Sequence, residues 1–290
     1  MKRMQIPALP VIIAGAVTLL VGTLVPVGIE ANHQWGKYKW AADGLPIDLV
    51  IGDNTTTTAW GTALDGAMDD WDGGTPDSLD LNVVTSNKNP ATCDPTFGRI
   101  EVCNDSYGVN GWLGIAQIWV QRPSTIVQAT TRVNDTYFNT PQYNTTAWRR
   151  FVMCQEVGHD FGLDHQDEAF YNPNLGSCMD YTDDPDGSAT ELSNLSPNRH
   201  DFDQLASMYL STGDGGGGGG GGGRPGGPGG GRGNAPGNIP DDFPDVADQR
   251  VPMDSPAQWG QLVKSNGRVA LYDLDLGFGN HIFTFVVWAN

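Results

Sequence analysis

Residues 154–165 read Cys-Gln-Glu-Val-Gly-His-Asp-Phe-Gly-Leu-Asp-His, and Ser177-Cys178-Met179-Asp180-Tyr181 follows. On a helix, Gln155, Glu156 and His159 lie on adjoining parts of one face, because residues three and four apart are neighbours. Gly162 can adopt a backbone conformation that other residues avoid, so the chain can leave the helix there and swing His165 back toward that face. Two imidazoles and a carboxylate then converge on one point. That is the arrangement of a catalytic zinc centre, in which imidazoles hold Zn2+ and a nearby Glu handles the proton of a metal-bound water. The plain alternative is a helix whose His and Glu are ordinary surface groups, which gives Gly162 no purpose.

Several elements must position this stretch. Asn144-Thr145-Thr146 supplies an N-cap, and the spacing predicts a helix from Ala147 to Phe161. Trp148, Phe151 and Val152 fall on the same side as Gln155 and His159, so apolar residues bury the helix and polar ones emerge at its cleft end. Upstream, Ile47–Ile51, Leu79–Thr85, Ile100–Cys103, Ala116–Val120 and Ile126–Val133 read as strands. A glycine-rich turn is expected over Tyr107–Gly114. Ala59, Trp60, Ala63, Leu64, Ala67, Met68 and Trp71 have helical spacing. Pro197–Leu210 reads as a closing helix with Phe202, Leu205, Met208 and Tyr209 on its apolar side.

The stretch resembles the metzincin zinc peptidases, whose signature is H-E-x-x-H-x-x-G-x-x-H followed by a Met-turn. Glu156, His159, Gly162 and His165 match, and Met179 stands where the Met-turn belongs. The strands before the helix, and the Leu-Ala-Ser-Met-Tyr ending at Leu205–Tyr209, resemble the matrixin branch. The resemblance implies an α+β catalytic domain: a twisted mixed sheet, an active-site helix, a Met-turn and a C-terminal helix. It implies His159 and His165 as zinc ligands, and Glu156 as the base and then acid of peptide hydrolysis. It implies Met179 as an apolar floor beneath the metal. Tyr181 corresponds to a tyrosine that in some metzincins lies by the metal and stabilises the oxyanion; a core tyrosine is the other reading.

One position departs from the signature, because Gln155 replaces the first histidine. Its neutral carbonyl oxygen is a weaker zinc ligand than imidazole. Gln155 could itself ligate. Water or another side chain could complete the site, with His33 and His200 the candidates outside the tail. Or the domain could be a binding protein on a peptidase scaffold. Keeping Glu156, both histidines and Met179 argues against decay, since a degenerating site has no use for the base. Too few histidines remain for the second, structural zinc of matrixins, and no latency cysteine precedes the first strand.

The 290 residues carry a formal charge of −18, with 34 Asp and Glu against 16 Lys and Arg. That balance excludes nucleic acid as a partner. It fits a soluble extracellular surface, with structural Ca2+ as a second reading. Lys2 and Arg3 precede a nearly all-apolar run from Ile6 to Val27, so 1–31 reads as a secretory signal, with a membrane anchor as the alternative. An exported chain is expected to form disulfides. Cys93–Cys103 would close a local loop and Cys154–Cys178 would tie the metal helix to the Met-turn; four buried thiols are the alternative. The catalytic domain is expected over 32–212, a glycine-rich flexible linker over 213–239, and a tail over 240–290. Val269–Leu276 and His281–Trp288 flank Gly277-Phe278-Gly279-Asn280 and read as a hairpin. A lone hairpin is marginal in water, so the tail should pack on the catalytic domain, a partner chain or the cell envelope. Five sequons, at Asn54, Asn104, Asn134, Asn144 and Asn194, are present. Together these features predict a monomeric, extracellular zinc endopeptidase acting on protein or peptide substrates.

Overall fold

The computed structural model describes residues 33–210 and 255–289. The expected signal segment and glycine-rich linker lie outside the described residues. The architecture is α+β, with one mixed sheet of nine strands and the helices packed on it.

The strands begin with a short β1 (Lys39–Trp40) and β2 (Ile47–Asn54), followed by helix α1 (Thr58–Asp72) and β3 (Leu79–Thr85). Then come β4 (Arg99–Asp105), β5 (Trp112–Gln121) and β6 (Thr125–Asn134). A single turn, α2 (Asp135–Phe138), leads to α3 (Thr146–Asp160), and α4 (Arg199–Leu210) closes this part of the chain. Both long helices before α4 start as the sequence predicts. Thr57 caps α1 by accepting from the Trp60 amide, and Thr145 caps α3 by accepting from the Trp148 amide.

β2, β3, β4 and β6 are mutually parallel and β5 runs antiparallel to β6. β5 and β6 are buried along nearly their whole length, as expected of strands covered on both faces, whereas β3 is largely exposed and ends the sheet. The glycine-rich turn expected through Gly114 is shorter than the sequence indicates. β5 already starts at Trp112, so Gly114 is a strand residue rather than a turn residue.

Helix α3 lies across the sheet, and α1 packs beside it. Trp71 of α1 donates its indole N–H to the Cys154 carbonyl at 3.1 Å and meets Phe161 and Phe202 edge-on. Both expected disulfides are formed, Cys93–Cys103 and Cys154–Cys178. No described helix is long and apolar enough to cross a membrane.

The C-terminal part enters the same sheet. After a short 3-10 turn at Pro256–Gln258 come β7 (Gln261–Ser265), β8 (Val269–Gly277) and β9 (Asn280–Trp288). β8 and β9 form a hairpin, and β9 pairs antiparallel with β5 along its length, from Val120↔His281 to Trp112↔Trp288. The strand order is therefore β3-β2-β4-β6-β5-β9-β8-β7. One face of β9 places Phe283, Phe285 and Val287 in the main core, and Trp35 meets both phenylalanine rings edge-on. The other face joins Trp112, Ile115, Trp259, Ala270 and Val286 in a second small cluster.

Four of the five sequons are closed to glycans. Asn54, Asn104, Asn134 and Asn194 are buried and hydrogen-bonded within the fold, and only Asn144 is exposed.

Phe151 of α3 is buried in the main core, so Phe151→Ala is expected to cost about 3–5 kcal/mol of global stability. Denaturant unfolding followed by core tryptophan fluorescence checks this. A variant whose main transition does not move would show that this face of α3 does not carry the core.

Candidate metal centre

Where helix α3 ends decides where the histidines stand. The helix stops at Asp160, and Gly162 takes φ +95°. The Gly162 amide donates to the His159 carbonyl at 2.9 Å and the Leu163 amide to the Gly158 carbonyl at 3.3 Å. That pair of bonds is a Schellman closure, which needs a left-handed residue at this position. A Cβ on Gly162 would also stand 2.6 Å from the Tyr38 carbonyl oxygen. The turn is clamped from outside as well, because the Trp35 amide donates to the Gly162 carbonyl and the Asp164 amide to the His33 carbonyl.

The reversal brings the two histidines together. His159 Nε2 and His165 Nε2 face each other at 3.1 Å, with the rings perpendicular. Each ring is tied down through its other nitrogen. His159 Nδ1 lies 2.9 Å from the Leu163 carbonyl oxygen, and His165 Nδ1 lies 3.3 Å from Glu168 Oε1. A carbonyl can only accept, so His159 carries its proton on Nδ1 and presents the Nε2 lone pair. Such second contacts are what orient metal-binding histidines. Burial, with His165 adding to it, holds the His159 imidazole well below its ordinary range, so it stays neutral.

Glu156 is fully buried, one helix position from Gln155 and three from His159. Burial raises its carboxyl well above the ordinary range, the neighbouring Asp160 adds to this, and the Ala116 backbone N–H opposes it only in part. Gly114 of β5 makes room for this side chain, since a Cβ there would stand 2.6 Å from Glu156 Oε1 and 2.7 Å from Val152. Gln155 is also fully buried, and neither its Oε1 nor its Nε2 has a hydrogen-bond partner.

Met179 is buried against Gly158 of α3, where any side chain would collide with the Met179 sulfur and with Trp71. The segment around it is stitched to the loop after His165: the Gln166 amide donates to the Met179 carbonyl and the Tyr181 amide to the Asp167 carbonyl. The Tyr181 ring meets His165 edge-on at 5.2 Å, and its hydroxyl donates to the Arg268 carbonyl at 2.9 Å. Burial keeps that hydroxyl protonated far above neutral pH, and the charges of Glu156 and Glu168 add to the effect.

The structure thus gathers His159 and His165 with their Nε2 atoms facing, and places Gln155 and Glu156 buried on the same helix. His33 and His200, the other imidazoles considered for the ligand set, stand elsewhere. They stack on each other at 4.8 Å, and His33 Nε2 lies 3.0 Å from Asp201 Oδ1. Among the described residues the one cluster of candidate ligands is Asp164, His165 and Glu168. Its two carboxylates are taken by the Lys264 ammonium at 2.6–2.8 Å, and a His165 hydrogen bond, with Lys264 helping against burial, holds Glu168 at about 2.

These residues fit a zinc ion. Two nitrogens bound about 2.0–2.1 Å from one tetrahedral ion stand roughly 3.3 Å apart, close to the separation seen here. The buried Gln155 amide, with neither atom paired, is costly without a ligand and fits the same reading.

No protein-family model and no curated protein matches the chain. Among solved structures, it is similar to myroilysin, with 12% identity, a TM-score of 0.36 and coverage of 61% of this chain and 98% of that one. It is also similar to high choriolytic enzyme 1, a hatching enzyme zinc-protease from the medaka fish Oryzias latipes. There the identity is 12%, the TM-score 0.31, and the coverage 60% and 94%.

Four groups at the site escape a reading of the sequence: Asp164 and Glu168 behind His165, Lys264 bridging them, and Phe285, whose ring stacks on His159 at 4.2 Å. The two carboxylates carry a faint local signal, being close to His165 in sequence. Lys264 and Phe285 carry none.

Gly162→Ala is expected to destabilise the fold by about 1–3 kcal/mol, because alanine resists the left-handed conformation. Thermal unfolding should show a Tm lower by several degrees. An unchanged Tm would mean that the turn tolerates another geometry.

Proposed function

We propose that this protein is a zinc-dependent metalloendopeptidase that works outside the cell. The observation that carries the reading is the facing pair of Nε2 atoms on His159 and His165, each ring anchored through Nδ1, with Glu156 buried on the helix that carries His159. Two imidazoles tied down through Nδ1 and turned Nε2 to Nε2 point at one place, an arrangement that suits a shared cation.

His159 and His165 would hold the ion through Nε2, and Gln155 would add its Oε1 as the third, weaker donor. Zinc, when bound, supplies a Lewis acid that polarises a peptide carbonyl and brings water within reach of deprotonation near pH 7. Glu156 accepts the proton of the attacking water and delivers it to the departing amine. Its dry surroundings match this role, because they raise the carboxyl toward the operating pH. Met179 backs the helix from below and fixes its height against the sheet. Tyr181 would hold a hydroxyl near the developing oxyanion once that hydroxyl is released from the Arg268 carbonyl. The two disulfides fit an oxidising compartment.

Gln155 favours a second reading, a catalytically weak or inactive binding protein on the same scaffold, because an amide oxygen holds zinc less firmly than imidazole. Two substitutions separate the readings. Glu156→Ala is expected to lower peptide cleavage by about 10²–10⁴-fold while zinc content, read by elemental analysis, stays at one ion per chain. Gln155→His is expected to tighten zinc binding on the order of tenfold or more, read by competition with a metallochromic chelator. Zinc bound only by Gln155→His, with no cleavage by the natural protein, would sink the peptidase reading in favour of the second.

A further inference from the structure

β5 is the strand that borders the metal centre. Gly114 lies beneath the Glu156 carboxylate and the Ala116 amide points toward it. An extended chain laid along the free edge of β5 would therefore pass directly over the ligand-bearing end of α3. Adding a strand to a sheet edge is a general way for a protein to hold an extended peptide. In this protein β9 already occupies that edge, with Ala116 opposite Phe285 and Gly114 opposite Val287.

The occupation reaches the site itself. The Phe285 ring lies nearly parallel to the His159 ring, at 10° and 4.2 Å. The Arg268 carbonyl takes the Tyr181 hydroxyl, and Lys264 takes both carboxylates that stand behind His165. Gln155, Glu156 and His159 are wholly inaccessible, and His165 is 8% exposed. A peptidase in this conformation has no route for a scissile bond to reach its base.

We propose that the C-terminal sheet Gln261–Trp288 is an inhibitory strap. β9 stands where a substrate strand would lie against β5, and Phe285 covers His159 until the strap is displaced. The inference rests on the peptidase reading of the site.

The topology is what a displaceable strap requires. β7, β8 and β9 are consecutive in sequence and sit together at one end of the sheet. Only β5 among the earlier strands pairs with them, and β5 keeps its pairing with β6 without them. The three strands can therefore leave as one unit, and β3-β2-β4-β6-β5 remains a continuous sheet with β5 as its edge. The polar fastenings are poised for release, since Lys264, Asp164 and Glu168 are all partly exposed. The chain between Leu210 and Ser255 is rich in glycine and long enough to keep a displaced unit tethered.

The test uses the full chain, loosened and locked. Phe285→Ala and Lys264→Ala loosen the strap. Cysteines replacing both Gln117 and Thr284, whose side chains hydrogen-bond across β5 and β9 at 2.9 Å, lock it. The first readout is the rate at which bound zinc passes to an excess of chelator. The second is amide hydrogen exchange of 280–288, which needs no metal. The third is cleavage of an unstructured peptide. The strap predicts zinc transfer and exchange faster by tenfold or more in the loosened variants, slower than wild type in the locked one, and cleavage that follows the same order. If 280–288 exchange only with global unfolding in wild type, and the locked variant transfers zinc and cuts peptide as wild type does, β9 is a permanent strand and the proposal is overturned. The locked variant decides this even if a loosened variant fails to fold. If zinc transfer and exchange follow the strap while no variant cuts peptide, the covering role stands and the peptidase reading falls.

Discussion

The structure depends on the way α3 ends. A helix that continued past Asp160 would carry residue 165 away from residue 159, roughly nine ångströms further along its axis. The left-handed turn at Gly162 instead reverses the chain within two residues and sets the imidazoles face to face. Much of the neighbourhood maintains that reversal. His33 and Trp35 bond to its backbone, Tyr38 packs against Gly162, and Met179 fills the space that Gly158 leaves on the helix. Cys154–Cys178 fastens the start of the polar stretch to the segment carrying Met179. The carbonyl of Leu163, freed by the turn, then receives His159 Nδ1. One backbone torsion thus places both rings and also selects the nitrogen that His159 presents.

A second constraint is the concentration of buried polar groups along one helix. Gln155, Glu156, His159 and Asp160 are all fully inaccessible. Asp160 has a structural explanation, since one carboxylate oxygen accepts from Thr131 and its carbonyl accepts from the Trp40 indole, which joins α3 to β6 and β1. Gln155 and Glu156 have no comparable explanation within the fold. Leaving a buried polar atom unpaired costs on the order of 1–3 kcal/mol. A protein that keeps two such residues on the helix that carries His159 gives up stability that an apolar helix would have kept.

The parts of this arrangement that are local in sequence are legible there. The helix, its threonine cap, the glycine exit and the histidine spacing all lie within about twenty residues, and each follows from helix periodicity or from a backbone preference. Cys93–Cys103 and the β8–β9 hairpin were legible for similar reasons, as short loops, and Cys154–Cys178 as a tie between the helix and the segment carrying Met179. What could not be read is pairing at long range. Alternating Ile282, Thr284 and Val286 mark β9 as a strand but do not say which edge it joins, because any edge with apolar neighbours satisfies the same pattern. The partner is β5, more than a hundred and fifty residues away, and with it come Phe285 over His159 and Lys264 behind His165. Gly114 was misjudged for a related reason. A glycine in a strand and one in a turn look alike in sequence, and only the Glu156 side chain above it shows why it has none.

These two kinds of information act on different aspects of function. The local part gathers two facing imidazoles and sets a buried amide and a buried carboxyl on the same helix. The long-range part decides who can reach that point. The edge of β5 away from β6 lies beside the site, and a strand edge binds any extended chain through the same backbone groups, whether that chain comes from a substrate or from the protein itself. Because β9 is attached to the same molecule, it meets that edge at a high effective concentration, set by the length of the connection rather than by dilution in the medium. A free peptide can form the same backbone bonds, so it must overcome that advantage through its side chains or its concentration. The cover over His159 therefore follows from sheet geometry and covalent connection together, and the weak donor at Gln155 would matter only once that cover has lifted.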